Sequence, residues 1–148
     1  MWTHSRSLLL TRVVTGIFFA LLVIATFSLP ELVRGYIAVS GKDPGIFGPL
    51  VAVLYACVLP AAVLLVCLFR LLTNLSREQV FIQANITLLR VLSWCCFLAA
   101  FLFGAFCFQY VMAILIAVTA AFMGLILRVV KNVFEQAIDL KTENDFTV

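Results

Sequence analysis

The chain has 148 residues, 65% of them hydrophobic and 11% charged, with a formal net charge of +3. An ordinary soluble domain carries about 45–50% and 25%, so a soluble enzyme, a disordered tail and a disulfide-stapled secreted scaffold are excluded together. Three stretches without a charge, 13–30, 44–69 and 91–127, take up more than half of the sequence, and uncharged apolar runs of about 18 residues or more read as membrane-spanning helices.

The first stretch follows Arg6 and Arg12. It is longer than the core of a secretory signal and has no small-x-small cleavage pattern before Pro30 and Glu31, so a retained span is expected over about 9–29. An external loop is expected over 30–48, where Lys42-Asp43-Pro44-Gly45 reads as a turn. The second span follows at about 49–71. Pro60 near its middle removes a backbone donor and crowds the carbonyl of Ala56, and a tolerated kink is favoured over an exposed carbonyl serving transport.

A cytoplasmic loop is expected over 72–85. Ser76 and Gln79 stand at capping-box spacing, and Val80, Phe81, Ala84 and Leu88 recur as on a short amphipathic helix leading into the third span. The longest uncharged stretch would be about 55 Å long as one helix, against a hydrocarbon core of about 30 Å. It is therefore expected to fold back between Gly104 and Tyr110, giving spans at about 86–106 and 110–130.

Span four carries Ala113, Ala117, Ala121 and Gly124, small residues that let helix backbones approach closely in lipid. Packing inside a four-helix bundle is favoured, with a homo-oligomer interface as the other use. Beyond the span, Val130, Val133, Phe134, Ala137 and Ile138 recur at helical spacing, and Lys131, Glu135 and Asp139 are expected to form the opposite, charged stripe. This amphipathic C-terminal helix can pack under the bundle, lie on lipid or bind a partner, with Phe134 as the natural aromatic anchor.

Chemistry-bearing residues are sparse. The five cysteines, Cys57, Cys67, Cys95, Cys96 and Cys107, fall within or at the ends of spans with no histidine or carboxylate at matching depth, and read as small packing residues rather than as metal or redox groups. The uncharged stretches hold no Asp, Glu, Lys, Arg or His, the groups that proton relays and ion pathways require. Thr15, Thr26, Tyr55, Ser93 and Thr119 can bond to neighbouring backbone. No catalytic residue, cofactor or metal site is expected, and the protein is not expected to be an enzyme.

Orientation follows from the basic residues. Arg6, Arg12, Arg70, Arg77, Arg90, Arg128, Lys131 and Lys141 fall on one side of the four spans, and only Arg34 and Lys42 on the other. Positively charged loops stay in the cytoplasm, so both termini are expected there. Because these charges are spread along helix ends they suit lipid headgroups, and direct nucleic-acid binding is not expected.

Two stretches carry a family resemblance. The run Val80-Phe81-Ile82-Gln83-Ala84-Asn85 before Leu88-Leu89-Arg90, and the closing Ala137-Ile138-Asp139-Leu140-Lys141-Thr142-Glu143-Asn144-Asp145-Phe146-Thr147-Val148, resemble a bacterial family of small four-span membrane proteins known only as a domain of unknown function. In that family the inner loop usually has proline where Val80 stands and glutamate where Ala84 stands, and the tail usually reads Glu-Asn-Asp-Leu-Thr-Val. The resemblance implies the same four-span topology. It also implies a neighbour, because many members are encoded beside a very small helix-turn-helix regulator of the Cro/C1 type. The resulting expectation is a regulatory or interaction protein of the bacterial inner membrane acting through its cytoplasmic face. A small-molecule transporter or channel subunit is the alternative, for which Pro60, Tyr55 and Thr119 are the available polar features.

Overall fold

The computed structural model describes residues 4–106 and 110–147. Four helices account for nearly all of them: α1 (His4–Ser40), α2 (Phe47–Ser76), α3 (Gln83–Ala105) and α4 (Val111–Thr147). No strand occurs among the described residues. Each helix is long and apolar enough to cross a membrane, with a mean hydropathy between 2.1 and 2.7 over its most apolar window. Large apolar side chains such as Phe27, Phe101 and Met112 point outward along these helices, as they do where lipid is the solvent. The chain is an all-α, multi-pass membrane protein.

The helices run antiparallel in chain order. Arg12 stacks on Phe69, Tyr55 bonds to Thr26, and Arg34 stacks on Phe47. These pairs climb α1 from 12 to 26 to 34 while descending α2 from 69 to 55 to 47, by the same steps on both helices. α1 packs chiefly on α2, α2 also on α3, and α3 makes the most extensive interface of all with α4. The core sits at the α2–α3–α4 junction, where Cys67, Leu89 and Leu92 are buried under Leu64, Leu127, Val130 and Phe134.

The first connection differs from the loop expected over 30–48. α1 continues through Pro30 and Glu31 to Ser40, and the reversal is confined to Gly41–Asp43 and a short 3-10 turn, Pro44–Ile46. Pro30 removes one donor without ending the helix, because a neighbouring helix supplies a replacement: the Tyr55 hydroxyl donates to the carbonyl of Thr26, four residues before the proline. The stop comes at Gly41, whose φ of +60° is open to glycine. Asp43 then accepts the Gly45 N–H at 2.9 Å and sets the turn.

The second connection also departs from expectation. Ser76 does not cap a following helix; its hydroxyl donates to the Thr73 carbonyl inside the last turn of α2. α3 begins later, at Gln83, behind an extended Ile82 that makes no side-chain cap, so Val80 and Phe81 lie in the turn rather than on a surface helix. What closes α2 is a Schellman motif. Gln79 N–H reaches the Asn74 carbonyl and Glu78 N–H the Leu75 carbonyl, and Glu78 takes the left-handed conformation, φ 60°, usually left to glycine.

Candidate functional site

The end of the molecule that holds the α2–α3 turn is the most elaborately bonded part of the chain. Its centre is Asn85, on the first turn of α3 and fully buried. Its amide nitrogen donates to the carbonyls of Gln79 at 2.8 Å and Val80 at 2.7 Å. Its Oδ1 accepts from the Asn74 amide of α2 at 2.8 Å. Buried in low dielectric, such a fully used amide fixes the turn far better than apolar contact alone. Phe81, at the tip of this turn, meets Phe134 of α4 edge to face, with ring centroids 5.6 Å apart.

α4 contributes the other half. Phe134 is half-buried and packs toward the Cys67–Leu89–Leu92 core, as does Val130, so the expected aromatic anchor faces inward. Ile138 and Ala137 are also half-buried. Val133 and Leu140 are open apolar positions, 55% and 62% exposed. The charged residues do not form one solvated stripe opposite the apolar one. Lys131 is only 7% exposed, and Glu135 lies 3.3 Å from its ammonium and 3.7 Å from the Arg90 guanidinium of α3; Asp139 alone of the three is exposed. Helical spacing cannot tell which neighbours flank the stripe, and here α3 covers part of the side assigned to water.

Of the small residues on α4, Gly124 and Ala113 are buried, and Ala117 and Ala121 half-buried. Gly124 marks the closest approach to α3: Ser93 donates to its carbonyl at 3.0 Å, and an added Cβ would lie 3.1–3.2 Å from Phe97 and Cys96. A Cβ on Gly104 would meet only that of Ala117, at 4.0 Å.

Three threonines within the spans are held locally. Thr15, Thr26 and Thr119 each donate to the carbonyl one turn earlier. Cys57, Cys67, Cys95 and Cys96 are free thiols; Cys107 and Gln109, part of the expected bend, lie outside the described residues. No group of three His, Cys, Asp or Glu side chains able to hold a metal occurs among the described residues. The sequence places Asn85 in the resembling run without marking it as a structural centre. Its polarity four residues before Leu89, on an otherwise apolar face, was the available signal for a buried amide.

These features define a multi-pass helical membrane protein whose most structured surface is one end of the bundle. Residues 36–148 match the family described as "Protein of unknown function (DUF2975)", and the chain belongs to that family. No curated protein and no solved structure matches it.

Proposed function

We propose that the protein is a regulatory or interaction protein of the bacterial inner membrane, with both termini in the cytoplasm, that holds or controls a small soluble helix-turn-helix regulator. No enzymatic activity is assigned to it. The observation that carries the reading is the surface formed by the α2–α3 turn and the C-terminal part of α4. The turn is pinned by Asn85 and joined to α4 through Phe81 and Phe134, while Val133 and Leu140 of the same helix stay exposed. α4 has 37 residues, about 55 Å of helix, and so continues well past a hydrocarbon core of about 30 Å. The orientation rests on the eight basic residues gathered at this side.

The test is co-purification of the full-length protein with a small Cro/C1-type helix-turn-helix regulator, for the native chain and for a Val133→Asp, Leu140→Asp variant. Both substitutions sit on exposed positions, so insertion and thermal stability are expected to be unchanged while the regulator is lost. Retention of the regulator by the variant, or no association with the native chain, overturns the reading. Cysteine labelling from outside checks the orientation: a cysteine at Lys42 is expected to react in intact cells and one at Gln79 only after lysis.

A further inference from the structure

At the opposite end of the bundle all four helices border a cavity of about 430 Å³. Leu29 and Val33 of α1, Leu54 of α2, Phe103 of α3 and Ile116 of α4 line it, and the remaining lining is apolar except for the hydroxyls of Tyr36 and Tyr110. The volume falls in the range of small-molecule sites, roughly 300–1,000 Å³, which are mainly apolar with a few placed polar groups. The rim of the cavity is open, since Leu32 and Met112 border it and are themselves mostly exposed, so it is within reach of the bilayer.

The polar group at its mouth is Lys42, in the turn between α1 and α2. Its ammonium lies 4.1 Å from the centre of the Tyr110 ring and 5.2 Å from that of Tyr36, and donates to the Tyr36 hydroxyl at 2.8 Å. Both rings line the cavity, so the charge is held against two of its wall residues. Arg34, the other cation at this end, is engaged by Glu31 and by the face of Phe47, and the nearby Asp43 carboxylate accepts the Gly45 N–H. Among the described residues no carboxylate lies within ion-pair distance of Lys42. A half-buried ammonium has three donors; among the described residues one of them is used, on a tyrosine whose own hydroxyl hydrogen can then be given to a second acceptor.

From this geometry we infer that the cavity binds an amphiphile with one acyl chain inserted among the four helices and an anionic head, carboxylate or phosphate, held by Lys42 and the Tyr36 hydroxyl. The apolar walls take the chain, and the cation selects the head by a charge-assisted hydrogen bond. The site is separate from the surface under "Proposed function" and does not depend on it. A free fatty acid and an anionic phospholipid share this chemistry and are distinguished by competition.

The experiment uses the full chain in phosphatidylcholine nanodiscs with two photoreactive probes, palmitic acid and hexadecanol, each bearing a diazirine in the chain. Adducts of the acid are expected on cavity residues such as Leu29, Val33, Leu54 and Ile116. Lys42→Gln is expected to lower labelling by the acid at least fivefold and leave labelling by the alcohol unchanged. Leu54→Trp, which fills the cavity, is expected to remove both, with retained helical circular dichroism checking its fold. Competition by palmitate alone identifies a fatty-acid site, and competition by phosphatidylglycerol alone a phospholipid site. Adducts spread over lipid-facing residues such as Phe27 and Phe101, or acid and alcohol responding alike to Lys42→Gln, overturn the proposal; the Lys42 variant lies in a turn and decides the matter even if Leu54→Trp does not fold.

Discussion

The Tyr55 hydroxyl of α2 donates to the Thr26 carbonyl of α1 at 3.1 Å, the group that Pro30 deprives of its helical donor. One residue thus repairs the defect that another creates on a different helix, and the repair lets α1 run on for ten residues past the proline. Tyr55→Phe is expected to cost about 1 kcal/mol, since the Thr26 carbonyl is then left without a donor in apolar surroundings, read as a lower thermal midpoint in detergent. Pro30→Ala restores an N–H at that position, so in its background Tyr55→Phe is expected to cost little. Equal losses in both backgrounds would show that the hydroxyl acts elsewhere.

Asn85 supports the turn by three hydrogen bonds. Asn85→Leu leaves the Gln79 and Val80 carbonyls without their side-chain donor and is expected to lower stability by about 2 kcal/mol or more. Asn85→Asp is expected to do at least as much damage, because an ionised carboxylate keeps the acceptor but loses both donors. Asn74→Ala, removing only the half-buried partner, is expected to be milder. Hydrogen exchange at 77–82 offers a local readout: protection there should fall in the Asn85 variants before it falls in α4.

How much of this was legible beforehand depends on the scale of the signal. Four spans follow from uncharged runs, since the cost of charge in hydrocarbon acts on every residue of a run and leaves a long, additive trace. The helices end away from the ends of those runs wherever one residue decides the outcome. Pro30 and Glu31 look like a helix end because propensity is local, whereas the donor that rescues the helix sits on another element. Ser76 and Gln79 match a capping box, yet the Asn85 amide claims the Gln79 and Val80 carbonyls and starts α3 later. The apolar stripe on α4 was visible from its spacing; the burial of Lys131 was not, because it needs the position of α3 and of Arg90.

At Gly124 the α3–α4 interface is tight, and a methyl group there requires Phe97 and Cys96 to give by a few tenths of an ångström. Gly124→Ala places a Cβ 3.1–3.2 Å from Phe97 and Cys96, and overpacking of this kind costs about 1–3 kcal/mol. Gly16→Ala meets nothing within 4 Å and is expected to be harmless. Ala117→Leu, which drives bulk toward Gly104, is expected to destabilise, whereas Val118→Leu on the exposed side is expected to change little. Thermal midpoints of the four variants in one detergent make the comparison, and four equal values would remove Gly124 and Ala117 from the interface.

Glu78 occupies the left-handed position of the Schellman motif with a φ of 60°. A side chain there costs about 1–2 kcal/mol relative to the right-handed helix, and glycine avoids most of it at some expense in chain entropy. Glu78→Gly is therefore expected to raise stability by about 1 kcal/mol, and Glu78→Val, with a branched Cβ, to lower it. A loss of stability in both variants would mean that the Glu78 carboxylate supports the turn in its own right.

Lys131, Glu135 and Arg90 place two cations on one carboxylate, and the three are not equally sheltered. The Lys131 side chain is 9% exposed, against 38% for Glu135 and 50% for Arg90. Removing the shared carboxylate by Glu135→Gln leaves a buried ammonium facing a guanidinium with no counter-charge. Breaking a buried pair is strongly destabilising, and the partial exposure of Glu135 reduces the expected loss to about 1–3 kcal/mol. Lys131→Met removes the buried charge while keeping a chain of similar length, and leaves Glu135 to the exposed Arg90; it is expected to be neutral or stabilising. In the Lys131→Met background, Glu135→Gln is then expected to cost under about 0.5 kcal/mol, the size of an exposed pair. The coupling in this double-mutant cycle should persist at high salt, because ions screen the Arg90 contact far better than the buried one. A cycle that closes to zero, or one whose coupling vanishes in salt, would place Lys131 in water and remove it from the α3–α4 junction.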